Sequence, residues 1–284
     1  MIIDSHAHYS VFQFNNQFPF LDTADGSFIR SHGTRKELFA RMSELNIRLC
    51  IEPSVRFENL EPQLALAREN PSFILSAVGV HPKYCLYAPW EERETLLRAA
   101  RENPTVAIGE TGFDFSIPLT DEERETQRKW FFYQISLARE LRLPLILHTR
   151  DADGAVLDVL EKERFPFGGV VHCFGGDLQT ANAYRRLGFA LGIGGKLLQN
   201  TSEAEALRDA VRGVPLSDLL IETDAPYVHP NLDGTALTQT QKNKVRNTSL
   251  ILPAVIEEIA RLQETSAACV ENAVFENTKR VFHL

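Results

Sequence analysis

Two histidines one residue apart, His6 and His8, close a short apolar run that begins at Ile2. In an extended strand the side chains alternate, so Asp4, His6 and His8 fall on one face, and two neighbouring imidazoles can chelate one cation. The same ending recurs along the chain. Ala107-Ile108-Gly109 leads to Glu110, Leu145-Ile146-Leu147 to His148, Val170-Val171 to His172, and Leu219-Leu220-Ile221 to Glu222-Thr223-Asp224. Each is an apolar strand candidate finishing on a side chain able to bind a metal. Any one of these histidines alone reads as a hydrogen-bonded structural residue, but six such groups on five strand ends do not arise independently. Unpaired imidazoles and carboxylates at the mouth of an apolar fold are costly, and a divalent cation offsets that cost by coordination. Four imidazoles with two carboxylates exceed what one tetrahedral zinc requires and suit two adjacent cations bridged by a carboxylate and a water.

The elements that must carry these residues are short β-branched runs alternating with longer amphipathic stretches, the signature of a parallel sheet built from strand-helix units. Eight strands are predicted: 2–6, 47–52, 73–81, 106–110, 143–148, 169–173, 189–193 and 219–224. The clearest helix spans 121–142, with an apolar stripe through Trp130, Phe131, Ile135 and Ala138. Thr120 is its expected N-cap, and Glu123 completes a capping box. Eight alternations in 284 residues predict an α/β fold, a TIM-like (β/α)8 barrel forming one domain over residues 1–284. No GxGxxG follows an early strand, which speaks against an open dinucleotide-binding sheet. Helical stretches at 250–263 and 266–282 are expected to pack outside the barrel. The 9–33 segment is too long for a simple turn and is expected to form a loop over the mouth. In such a barrel the carboxyl ends of the strands carry the active site, which is where the metal-capable residues fall.

The composition, 44% hydrophobic and 24% charged, can fill a core and excludes a disordered or disulfide-stapled chain. Thirty basic against 38 acidic residues give a net charge of −8, which argues against a broad basic nucleic-acid-binding face. Four cysteines without a CxxC pair read as reduced thiols, and no segment approaches a membrane span, so a cytoplasmic protein is expected.

The segments Ile3-Asp4-Ser5-His6-Ala7-His8, Gly79-Val80-His81-Pro82, Ala107 to Asp114 (AIGETGFD), Leu143 to Asp151 (LPLILHTRD), Val171 to Gly176 (VHCFGG) and Ile221 to Tyr227 (IETDAPY) together resemble the TatD family of metal-dependent deoxyribonucleases, within the amidohydrolase superfamily. The resemblance implies that His6, His8 and Asp224 hold one cation, that His148 and His172 hold a second, and that Glu110 bridges both. It also implies that His81 and Arg150 line the substrate site, and that the cations are zinc, manganese or magnesium. Imidazole ligands favour zinc or manganese. The chain departs from the family's usual Arg-Asn-Glu-Pro after the last strand, reading Arg246-Asn247-Thr248-Ser249.

On this reading, Asp224 takes a proton from the attacking water and returns it to the leaving oxygen. Glu222 orients a ligand imidazole, and Arg150 holds phosphate, with Lys83, Lys196 and Arg246 as weaker candidates. Cys173, next to His172, is read as a core residue on the opposite strand face and not a nucleophile. Tyr227 is read as packing, with base stacking as the functional alternative. The expected substrate is DNA bound weakly at single-strand ends. The rival is a small phosphoester, amide, lactone or ester, including an aminoacyl ester on RNA, hydrolysed at the same metal site.

Overall fold

The computed structural model describes residues 1–24, 26–233, 235 and 237–284. Its strands are β1 (Ile2–Asp4), β2 (Phe18–Ala24), β3 (Ser27–Gly33), β4 (Ile47–Pro53), β5 (Ile74–Val78), β6 (Thr105–Asp114), β7 (Leu145–Arg150), β8 (Gly169–Val171), β9 (Phe189–Ile193) and β10 (Leu219–Ile221). Eight of them form one sheet in the order β1-β4-β5-β6-β7-β8-β9-β10, every neighbouring pair parallel. The ends meet. Ser5 donates from its backbone and its hydroxyl to the Ile221 carbonyl at 3.0 and 2.9 Å, and the His8 N–H donates to the Ala225 carbonyl at 2.8 Å. These bonds close the expected (β/α)8 barrel between its first and last strands.

Helices α1 (Arg35–Glu44), α2 (Phe57–Glu69), α3 (Arg93–Glu102), α4 (Asp121–Leu141), α5 (Asp153–Glu163), α6 (Leu178–Arg186) and α7 (Ser202–Gly213) are interleaved with these strands. The short α8 (Gln239–Lys242), then α9 (Leu252–Leu262) and α10 (Ala267–Phe282), follow the last strand. The capping box expected at Thr120 and Glu123 is formed at the start of α4. It satisfies two otherwise orphaned backbone donors of a 21-residue helix.

Three expectations are corrected. First, residues 9–33 do not make a loop. They fold into a 3-10 turn at Phe12–Phe14 and an antiparallel hairpin, β2 with β3. Tyr9, Phe14, Phe18 and Phe20 stack in series with ring centroids 4.9, 5.0 and 5.8 Å apart, so the aromatic content needs a packed surface that an open loop cannot provide. The hairpin is then pinned to the chain after β10. The Leu21 N–H donates to the Arg246 carbonyl at 2.9 Å, the Arg246 N–H to the Pro19 carbonyl at 3.0 Å, and the Thr248 hydroxyl to the Leu21 carbonyl at 2.9 Å.

Second, α10 does more than coat the outside. Ile51, Ala77, Ala107, Ile146, Val170, Ala190 and Leu220, one from each of seven strands, form an interior cluster that Val281 and Phe282 of α10 complete. Asn277 donates to the carbonyls of Leu216 and Leu219 at the start of β10, so α10 plugs the amino-terminal end of the barrel. Third, β6 does not stop at Glu110 but continues to Asp114.

Candidate metal centre

Glu110 is the hub. Its Oε1 lies 2.8 Å from His148 Nδ1 and 2.9 Å from His172 Nε2, while its Oε2 lies 3.7 Å from His6 Nε2 and 3.8 Å from His8 Nε2. Asp224 Oδ1 stands 3.4 Å from His8 Nε2 and 3.9 Å from His6 Nε2. The six side chains singled out by their strand-end positions therefore converge at one rim, with one oxygen of Glu110 facing each group of histidines. The apolar strands carry these polar groups to the carboxyl end and stop there, because the βα loops begin at that point.

His81 lies closer to the cluster than a substrate contact alone requires, its Nε2 3.2 Å from His148 Nδ1 and 3.6 Å from Glu110 Oε1. Arg150 is exposed at the end of β7, and no ion pair among the described residues involves it. Asp153, one of its sequence neighbours, instead accepts from Thr149 and from the Tyr184 hydroxyl. Asp4 does not join the two histidines. Its carboxylate accepts from the Thr223 and Ser249 hydroxyls, both at 2.6 Å, because strand pairing between the barrel's ends brings those groups over it. Tyr227 is 47% exposed, with its ring 6.2 Å from that of His8, which corrects the packing reading.

Around this hub stand further carboxylates. Glu222, expected to orient an imidazole, places Oε1 3.5 Å from His172 Nδ1 and accepts from the Cys173 N–H at 2.5 Å. Gly192 makes room for it, since a Cβ there would collide with the Glu222 carboxylate. Two acids escaped the sequence reading. Asp114 Oδ2 lies 3.2 Å from His148 Nε2, and its Oδ1 accepts from Ser116. Glu52 accepts the backbone N–H groups of Tyr9 and Ser10, fixing the chain just beyond His8. The signal for Asp114 was the alternation Glu110, Gly112, Asp114 along a strand longer than its apolar run.

Three basic residues considered for phosphate are engaged otherwise. Lys196 Nζ donates to the Cys173 carbonyl at 3.0 Å, Arg246 Nε to the Gln13 carbonyl at 2.8 Å, and Lys83 Nζ stands 3.8 Å from Asp114. Cys173 adopts a positive φ of 51°, which breaks the strand alternation and keeps its sulfur beside His172 and Glu222. Burial pushes the thiol up to about 11, so it stays protonated near neutrality.

Burial alone would raise the Glu110 carboxyl, but the charge of His172 and the bonds from His148 and His172 hold it well below the usual carboxylate range. Burial would likewise depress His172, yet Glu110 and Glu222 raise it well above an ordinary imidazole. Burial and the neighbouring His172 keep His6 neutral, and burial with His148 pushes His81 down to about 3. Imidazole nitrogens face one another at 3.2 Å in two places, His6 with His8 and His81 with His148. In each pair one ring can donate its N–H to the other, and a divalent cation could take the place of that shared proton. Nitrogen and oxygen donors of His6, His8 and Asp224 lie within 4.8 Å of one another, as do those of His6, Glu110 and His172. The donor set fits divalent metals.

The family model described as TatD related DNase matches residues 3–283. The chain belongs to the TatD family. As a TatD-family member it is a metal-dependent hydrolase, and its relatives agree along their length. It is 31% identical to the metal-dependent hydrolase YcfH of Escherichia coli strain K12, over 100% of this chain and 96% of that protein. It is 33% identical to the 3'-5' ssDNA/RNA exonuclease TatD of a Rahnella species, over 80% of this chain and 83% of that one. The crystal structure of the TatD homologue YjjV from Escherichia coli K12 superposes with a TM-score of 0.81 at 27% identity, covering 100% and 98% of the two chains. No helix among the described residues of this TatD-family chain is long and apolar enough to cross a membrane.

Proposed function

We propose that the protein is a two-cation phosphodiesterase that removes nucleotides from the end of single-stranded DNA, built as one domain and working in the reducing cytoplasm. The observation that carries this reading is Glu110 with one oxygen turned to His148 and His172 and the other to His6 and His8, in a contiguous cluster in which the His6 and His172 rings stack. In this scheme His6, His8 and Asp224 would hold one ion and His148 and His172 the other, with Glu110 as the carboxylate available to both. The mainly imidazole donors favour zinc or manganese over magnesium. When bound, such ions lower the pKa of water towards neutrality and neutralise charge gathering on phosphate oxygens. Four free cysteines among the described residues support the reducing compartment.

The protein's own groups then have distinct tasks. Asp224, more open than Glu110 with 16% against 4% of its side chain exposed, is the carboxylate that a substrate water reaches. Its carboxylate takes the water's proton and returns it to the leaving oxygen, so the proton balance closes within one turnover. Glu222 and Asp114 hold the rings of His172 and His148 in orientation. Arg150, exposed and unpaired at the rim, contributes a forked donor for a phosphate. The name of the Rahnella relative supports attack from the 3' end.

Purified protein, stripped with chelator and reloaded with manganese or zinc, should release mononucleotides from single-stranded DNA labelled at its 5' end, and more slowly from duplex. Glu110→Gln should abolish turnover and reduce bound metal. Turnover confined to a panel of esters and lactones, with DNA untouched, would overturn the nuclease reading.

A further inference from the structure

Aromatic side chains are unevenly distributed around the barrel mouth. Among the described residues the exposed aromatics are Phe12, Tyr87 and Tyr227, at 76, 84 and 47%. All three sit on loops at the carboxyl end, after β1, β5 and β10 respectively. In the closed barrel β10, β1, β4 and β5 are consecutive, so these residues occupy one arc. The missing member, the loop after β4, supplies Arg56, whose guanidinium carbon lies 4.5 Å from the centre of the Tyr84 ring. The loops after β6, β7, β8 and β9 carry no exposed aromatic residue among those described.

Arg56 also forms a shared wall between two cavities. One, of about 550 Å³, is lined by Ser10, Phe12, Asn15 and Arg35 beside it. The other, of about 320 Å³, is lined by Tyr84 and Tyr87. Arg35 donates to Asn15 Oδ1 at 3.2 Å, while its Nε is buried without a hydrogen-bond partner. The first cavity opens beside Ser10, two residues past His8, and the Tyr227 ring lies 6.2 Å from that of His8. Glu58, Glu69 and Glu92 also line these cavities, three carboxylates against two guanidinium groups, so any hold on a phosphate comes from direct contact with Arg35 and Arg56 and not from a net positive field.

We infer that this arc is a track for the body of a single nucleic-acid strand: Phe12 and Tyr87 stack bases beyond the scissile nucleotide, and Arg35 with Arg56 grips a backbone phosphate between them. The inference rests on the phosphodiesterase reading and extends it to the nucleotides that are not cleaved. Alternating flat rings and guanidinium groups suit unpaired bases, since a duplex has its bases already stacked and offers none to the rings. The hairpin β2–β3, anchored through Arg246 and Thr248, holds the Phe12 side of the track in place.

The test compares a dinucleotide with an octanucleotide single strand on the metal-loaded protein, in Phe12→Ala, Tyr87→Ala and Arg56→Ala, together with fluorescence anisotropy on a phosphorothioate octanucleotide. Each variant should raise KM and the anisotropy Kd for the octanucleotide about tenfold, with kcat unchanged and dinucleotide kinetics unmoved. Phe12→Trp and Tyr87→Phe should restore the parent values. An unchanged octanucleotide KM and Kd in all three alanine variants overturns the track, and so does an equal loss on the dinucleotide. If the parent protein cleaves neither length, the phosphodiesterase reading fails, and the anisotropy series still decides the track in the same way.

Discussion

His81 is buried against His148 and Glu110, and its imidazole is pushed down to about 3, first by loss of solvent and then by the neighbouring ring. A histidine that stays neutral in the folded chain while its unfolded form protonates near 6.5 withdraws stability as the pH falls from that value towards 3. Raised groups such as His172 act in the opposite sense, so the His81 contribution shows as a difference: in metal-free protein, between pH 7 and pH 5, the unfolding free energy of the parent measured by urea titration should fall by about 2 kcal/mol relative to that of His81→Asn. The same pH dependence in the two proteins would show that His81 does not carry the effect. The strand-end residues were legible because each sits where an apolar run stops, and burial of a charged or basic group at such a place demands a partner. Asp114 was not legible by that criterion. Its strand runs four residues past Glu110 through Gly112, where no apolar run marks the ending.

Among the elements, α10 is the one whose role the amphipathic pattern underspecified. Periodicity assigns a helix an apolar face but not the surface that the face meets. The last turn, with Val281 and Phe282, completes the interior cluster to which seven of the eight barrel strands contribute, at their amino-terminal end. Truncating Phe282 to Ala should cost about 3 kcal/mol or more in unfolding free energy while leaving metal stoichiometry unchanged, as read by calorimetry and metal analysis. A matching loss of metal would mean that the plug and the site are coupled through the barrel. The hairpin β2–β3 escaped for a related reason. Its first strand contains Pro19 and draws its partners from β3 and from residues 246–248, far along the chain, so nothing local distinguishes it from a loop.

For the molecule as a whole, a net charge of −8 sets how nucleic acid can be held. A net negative chain offers little long-range attraction, so on the proposed reading contact would rely on a few guanidinium groups at the rim, namely Arg35, Arg56 and Arg150, together with stacking. Oligonucleotide affinity should then fall with a slope of roughly 2 in log Kd against log salt, at about 0.7 per phosphate for single strands. A slope several times steeper would point to a basic surface elsewhere.

The seam that closes the barrel also has a temporal consequence. His6 and His8 are synthesised well before Asp224, and they meet it only when the last barrel strand pairs with the first, while Ser249 bonds Asp4 beneath them. A growing chain that has not yet reached Asp224 therefore lacks one of the six groups, and the candidate centre is completed only with the last barrel strand.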